Sequence, residues 1–249
     1  MAFSHYMFHK PNANDFRLFS TEHIVALAII AILAILLVAF RKQIQAMPKA
    51  KRRAAEIGAA VLLLLARGGL YLYYFTFQFD MKEILPVYLC RIVIIALLYT
   101  LITGQKKFLF VVYYFGIFFG VVPLIVVDTG GHTFPHATYF SFFIGHGMIL
   151  LANLYYIMIE EYRPRRGELR KALFTLGFYF VLVAILNPLV GGNYNYLEEA
   201  PSALPLGDFS GTLPYKVTLI IVFFMIMFIE YLPFSKIKVK EEEELSIRH

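Results

Sequence analysis

Cys90 and His146 are the residues of this sequence best suited to covalent chemistry, and both lie inside strongly apolar stretches. A thiolate attacks an acyl carbon and an imidazole takes the thiol proton, so a Cys–His pair would move an acyl group through a thioester. The opposing reading is that a buried free cysteine serves as a small hydrophobe. Cys90 is the single cysteine, so it forms no internal disulfide, and nothing near it has the spacing of a zinc site. His146 stands between Gly145 and Gly147, and small residues admit a neighbouring helix closely. Lining a pocket and bonding across that contact are equally open roles for it.

Other polar residues sit where lipid is expected. A charge within a membrane span is costly and marks a functional site by default. Arg67 falls near the middle of an apolar run, about 15 Å from either end at helical rise. It needs an acceptor, either a phosphate headgroup, a helix carbonyl or a buried carboxylate. Arg91 follows Cys90 and is a second candidate for holding an anion. His23 opens the first apolar run, and Asn187 and Asn193 flank the end of the sixth. His132, His136 and Asp128 have a spacing compatible with metal ligation but lack a further close ligand, so neither metal nor cofactor is expected.

These residues must be positioned by membrane helices. Of the 249 residues 59% are hydrophobic and 16% charged, against about 45–50% and about 25% in a soluble domain. Seven runs are long enough for the ~30 Å hydrocarbon core: residues 22–40, 57–78, 84–103, 108–127, 138–159, 172–190 and 214–234. Backbone groups in lipid must be satisfied internally, and no barrel alternation appears, so all read as helices. Lys and Arg crowd alternate loops: Arg41 to Arg53, Lys106 with Lys107, Arg163 to Lys171, and Lys236, Lys238, Lys240 and Arg248 in the tail. The other loops hold only Lys10, Arg17, Lys82 and Lys216. Positive loops stay cytoplasmic. The expectation is an all-α polytopic protein of the cell membrane with seven transmembrane helices, N-terminus outside and C-terminus cytoplasmic. An outer segment 1–21 precedes a membrane domain 22–234 and a charged tail 235–249. No cleavable signal peptide is expected. The net charge of +6 then reports orientation and contact between basic loops and anionic lipid headgroups, with no call for nucleic acid. Cys90, Arg91 and His146 fall in the outer half of their spans, which points to a cavity open on that side. The turn-rich connections 128–137 and 191–213 face the same way, and loops of the latter length are often lids.

Short motifs strengthen this reading. They are Phe19-Ser20-Thr21-Glu22-His23, Leu85-Pro86-Val87-Tyr88-Leu89-Cys90, Gly145-His146-Gly147, Asn193-Tyr194-Asn195-Tyr196-Leu197, and Asp208-Phe209-Ser210-Gly211 followed by Pro214-Tyr215. In order and placement they resemble the bacterial YwaF family of integral membrane proteins, related to the eukaryotic transmembrane protein 164 acyltransferases. The resemblance implies a compact seven-helix protein and acyl transfer between lipids, with Cys90 and His146 in catalytic roles. Arg67, Arg91, His23, Tyr88, Asn187 and Asn193 are the expected binding residues. Two other classes stay open: a lipid or small-molecule binding or transport protein, and a structural subunit of a larger membrane assembly.

Overall fold

The computed structural model describes residues 7–8, 16–201, 204 and 206–235. Lys10 and the tail cations Lys236, Lys238, Lys240 and Arg248 lie outside the described residues. Among the described residues seven long helices carry the fold: α1 Thr21–Ala39, α2 Lys49–Phe77, α3 Leu89–Thr103, α4 Leu109–Ile125, α5 Ala137–Met158, α6 Arg166–Val190 and α7 Leu213–Ser235. Among the described residues there is no strand. Six helical segments among them are long and apolar enough to cross a membrane, that of α3 counted from Met81. The exception is α4, which has 17 residues and Pro123 in its last turn.

Local chemistry sets the helix ends. Ser20 caps α1 by accepting from the His23 N–H, with Glu22 in the first turn. His136 caps α5 through the Thr138 N–H. Glycines in the left-handed region stop α3 at Gly104 and α6 at Gly191, as expected where a side chain would be strained. The third apolar run differs from its expected extent of 84–103. It opens as a short turn, Met81–Ile84, breaks at Leu85, and resumes as α3 at Leu89. Pro86 is the cause, because proline forces the preceding residue into extended backbone, and Leu85 has φ −63° and ψ 128°. Cys90 is therefore in the first turn of α3, not six or more residues into a continuous helix.

The helices run between two ends of one bundle. At one end Tyr196 Oη donates to Asp128 Oδ2 at 3.0 Å, Tyr194 Oη to the Lys82 carbonyl at 3.0 Å, and Tyr139 Oη to the Glu22 carbonyl at 2.7 Å. These bonds gather the segments 16–22, 78–88, 128–136 and 191–212, here called the long-loop end. At the opposite, basic end Glu160 pairs with Arg52 at 2.9 Å and Lys106 at 3.0 Å, and Gln45 donates to the Met158 carbonyl at 2.9 Å. The core lies between α2 and α7, with α4 and α5 at its centre. Gly116 and Gly120 of α4 press on Ile149, Leu150 and Asn153 of α5. Asn153 Nδ2 donates to Val112 and Ile149 carbonyls at 3.0 Å each. This polar tie joins α4 to α5 within the bundle. The outward faces of α1, α2, α6 and α7 expose Ile29, Leu65, Phe178 and Ile229 among many others, a surface suited to hydrocarbon and not to water.

Candidate functional site

A cavity of about 560 Å³ opens between α2, α3, α4, α5 and α7 toward the long-loop end, within the size range of small-ligand sites. Cys90, His146, Arg67, Arg91 and Tyr88 all line it. Five of the eight residues singled out by sequence thus converge from three helices and the turn before α3. Its apolar wall is built from Leu70, Leu89, Phe118, Val122, Phe142, Leu219 and Phe223. One wall suits a chain of hydrocarbon and the other a polar head.

His146 is held in a defined tautomer. Its Nδ1 lies 2.9 Å from the Phe142 carbonyl, and a carbonyl only accepts, so Nδ1 carries the hydrogen. The neutral ring then presents Nε2 as a lone pair. The flanking glycines have separate tasks. A Cβ on Gly145 would collide with the Arg67 guanidinium, and one on Gly147 would press on Ile30 of α1 at 3.0 Å. The small residues admit a side chain on one flank of His146 and a neighbouring helix on the other.

Arg67 reaches from α2 to the Ser141 carbonyl of α5 through Nη2 at 2.9 Å. Among the described residues no carboxylate pairs with it, and its buried Nε has no partner. Its charge acts on both Cys90 and His146. Arg91 is engaged differently. It pairs with Glu83 through Nη2 at 2.9 Å, its Nη1 donates to the Glu83 and Leu85 carbonyls, and it lies 4.8 Å over the Tyr88 ring. Tyr74 and Tyr88 hydroxyls add to Glu83 at 3.2 and 3.3 Å. Of the two arginines expected to hold an anion, only Arg67 lacks a carboxylate.

Three expected binding residues fall outside the cavity lining. His23 is fully buried, its Nδ1 accepting from the Phe19 N–H at 2.9 Å and its Nε2 donating to the Leu124 carbonyl at 2.8 Å. With both nitrogens used, it braces α1 against the end of α4. Asn187 exchanges two bonds with the Tyr194 backbone at 2.8 and 3.3 Å. Asn193 accepts from the Glu198 and Glu199 N–H groups at 2.9 and 3.1 Å. Both fold the connection after α6. Conversely, Glu83, Ser141, His132, Asn195 and Tyr196 line the cavity and were not read as binding residues. Glu83 had a local signal that was not used, a carboxylate just before a proline break and an arginine just after it. No group of three or more metal-ligating side chains occurs among the described residues.

A family model described as the TMEM164 family matches residues 18–231. The chain belongs to the TMEM164 family. The match spans every long helix up to Tyr231 of α7 and therefore the whole cavity wall. No curated protein and no solved structure matches the chain. Family membership and the apolar helices together make this a multi-pass membrane protein of the TMEM164 family.

Proposed function

We propose that this TMEM164-family protein is a lipid-modifying enzyme of the bacterial YwaF branch, transferring acyl groups through a Cys90 thioester. It would cross the cell membrane seven times, N-terminus outside, with the cavity opening to the outer leaflet. The observation that carries the reading is that Cys90 and His146, the latter with Nε2 left as a lone pair, both line one amphiphilic cavity. His146 takes the thiol proton as the sulfur attacks the ester carbonyl. The S–C bond forms, the ester C–O bond breaks, and the leaving alkoxide receives the proton from the imidazolium. An acceptor hydroxyl then reverses the sequence, giving its proton to His146 and releasing the thiol. Arg67 supplies the positive charge for an anionic headgroup.

The test is intact-protein mass spectrometry after incubation with a phospholipid of defined acyl chains. An acyl adduct that maps to Cys90 and is absent from Cys90→Ser is expected, with turnover reduced at least about a thousandfold. Turnover retained by Cys90→Ser would remove the thioester route. Arg67, which has no carboxylate partner among the described residues, also favours a second reading, a binding or transport protein for an anionic amphiphile. In that case the native protein retains an intact, non-covalent lipid and yields no product.

A further inference from the structure

Two buried polar atoms at the long-loop end of the cavity have no part in the acyl chemistry. Among the described residues His132 Nδ1 and Asn195 Nδ2 both lack a partner, in residues only 7% and 6% exposed. Buried polar groups are nearly always hydrogen-bonded, and both residues line the same cavity, so the two orphans call for a shared explanation. The character of each atom follows from its surroundings. Tyr73 Oη donates its single hydrogen to Gln78 Oε1 at 2.7 Å. Its contact with His132 Nε2 at 3.3 Å then has the ring nitrogen as donor. A neutral imidazole carries one hydrogen, so His132 Nδ1 is an acceptor. Burial lowers the pKa of His132, which keeps the ring neutral near pH 7. The Asn195 amide nitrogen can only donate.

Both groups are held firmly. The His132 carbonyl accepts from Thr129 Oγ1 at 2.7 Å, and its ring lies against Tyr73 and His136. Asn195 adopts φ 58°, a left-handed conformation, inside the turn that Asn187 pins through Tyr194. The Tyr196–Asp128 bond ties this turn to the His132 segment.

We propose that His132 and Asn195 form a recognition point for a hydroxyl-bearing head of an amphiphile bound in this cavity. A hydroxyl both gives and receives a hydrogen bond, so it satisfies the acceptor and the donor together. An ammonium would leave Asn195 unmatched, and a carboxylate would leave His132 unmatched. The inference rests on the cavity being an amphiphile site and not on acyl transfer.

Binding of monoolein and of methyl oleate to the full chain in lipid nanodiscs tests it. The two share chain and ester, and only monoolein has free hydroxyls. Wild type should bind monoolein at least about tenfold more tightly, and His132→Leu and Asn195→Ala should each lose most of that preference while still binding methyl oleate. Nitrogen-15 NMR of histidine-labelled protein gives a second measure independent of any variant's folding. His132 Nδ1 should resonate as an unprotonated nitrogen and shift with monoolein but not with methyl oleate. Equal affinities in wild type, a preference retained by both folded variants, or a protonated Nδ1 would each overturn the assignment. An acyl-Cys90 adduct formed without any hydroxyl preference would overturn it and leave the enzyme reading standing. Hydroxyl preference without an adduct would do the reverse.

Discussion

Gly145 is a glycine because Arg67 occupies the space where its side chain would stand. A Cβ there meets the guanidinium, which is also bonded to the Ser141 carbonyl one turn earlier. Overpacking of this kind costs about 1–3 kcal/mol, and the arginine is the part that yields. Gly145→Ala should therefore displace Arg67, weaken retention of an anionic amphiphile at least about tenfold, and leave binding of an uncharged one nearly unchanged. Co-purified lipid measured by mass spectrometry checks this, and equal loss of both classes would mean that Gly145 serves only packing. Much of this residue-level arrangement was legible in the sequence. A lone cysteine, a histidine between glycines and an arginine in mid-span stand out against apolar neighbours. That they line one cavity was not legible, because side chains 23 residues apart (Arg67 and Cys90) or 56 apart (Cys90 and His146) are brought together only by helix packing. His23 shows the opposite case: a residue type with chemical potential whose nitrogens are both spent on backbone.

The helices themselves follow from hydropathy, but their breaks follow from backbone chemistry that hydropathy does not register. Pro86 sits in an apolar run and still breaks its helix, which moves Cys90 to the first turn of α3. The connection between α6 and α7 is the clearest other instance. It contains Asn195 and Tyr196 with positive φ of 58° and 56°, yet polar bonds tie its described residues at several points. Tyr215 Oη donates to the Tyr196 carbonyl at 2.7 Å, Lys216 pairs with Glu198 at 2.5 Å, and Ser210 Oγ accepts from the Ala200 N–H at 2.7 Å. Gly211, at φ +74°, lies against the Glu198 carbonyl with no space for a Cβ. This is a preformed roof over the cavity, and its attachments are the parts to cut. Tyr196→Phe removes one hydrogen bond to Asp128, about 0.5–1.5 kcal/mol, and should speed amide exchange in residues 191–212 while α2–α5 keep their protection. Gly211→Ala adds backbone strain to a steric clash and should have the larger effect in the same segment. Hydrogen-exchange mass spectrometry reads both, and a uniform loss of protection across the bundle would show that the connection is part of the core and not a separate roof.

At the scale of the whole molecule the open quantity is the number of crossings, and it turns on α4. The other six segments have the length and hydropathy to span by themselves. With 17 residues, α4 reaches about 25 Å against a core of about 30 Å, a mismatch that local thinning or packed neighbours absorb at small cost. Its packing argues that it crosses. It begins beside Lys106, which joins Glu160 at the basic end, and it ends where the Leu124 carbonyl receives His23 and Asp128 receives Tyr196 at the other. If α4 stayed on one side, Lys106 and Lys107 would share a compartment with the sparsely charged 128–136 segment, against the positive-inside distribution. Single cysteines placed in a Cys90→Ser background decide the matter. Gln105→Cys and Phe134→Cys flank α4 at exposed positions, and Glu161→Cys and Glu199→Cys flank α6. With seven crossings and the N-terminus outside, a membrane-impermeant maleimide on intact cells should label Phe134→Cys and Glu199→Cys. Gln105→Cys and Glu161→Cys should react only after permeabilisation. Labelling of both α4 flanks from one side would reduce the count to six and place the termini together. The mirror-image pattern would keep seven crossings but turn the cavity, and with it Cys90 and His146, toward the cytoplasmic leaflet.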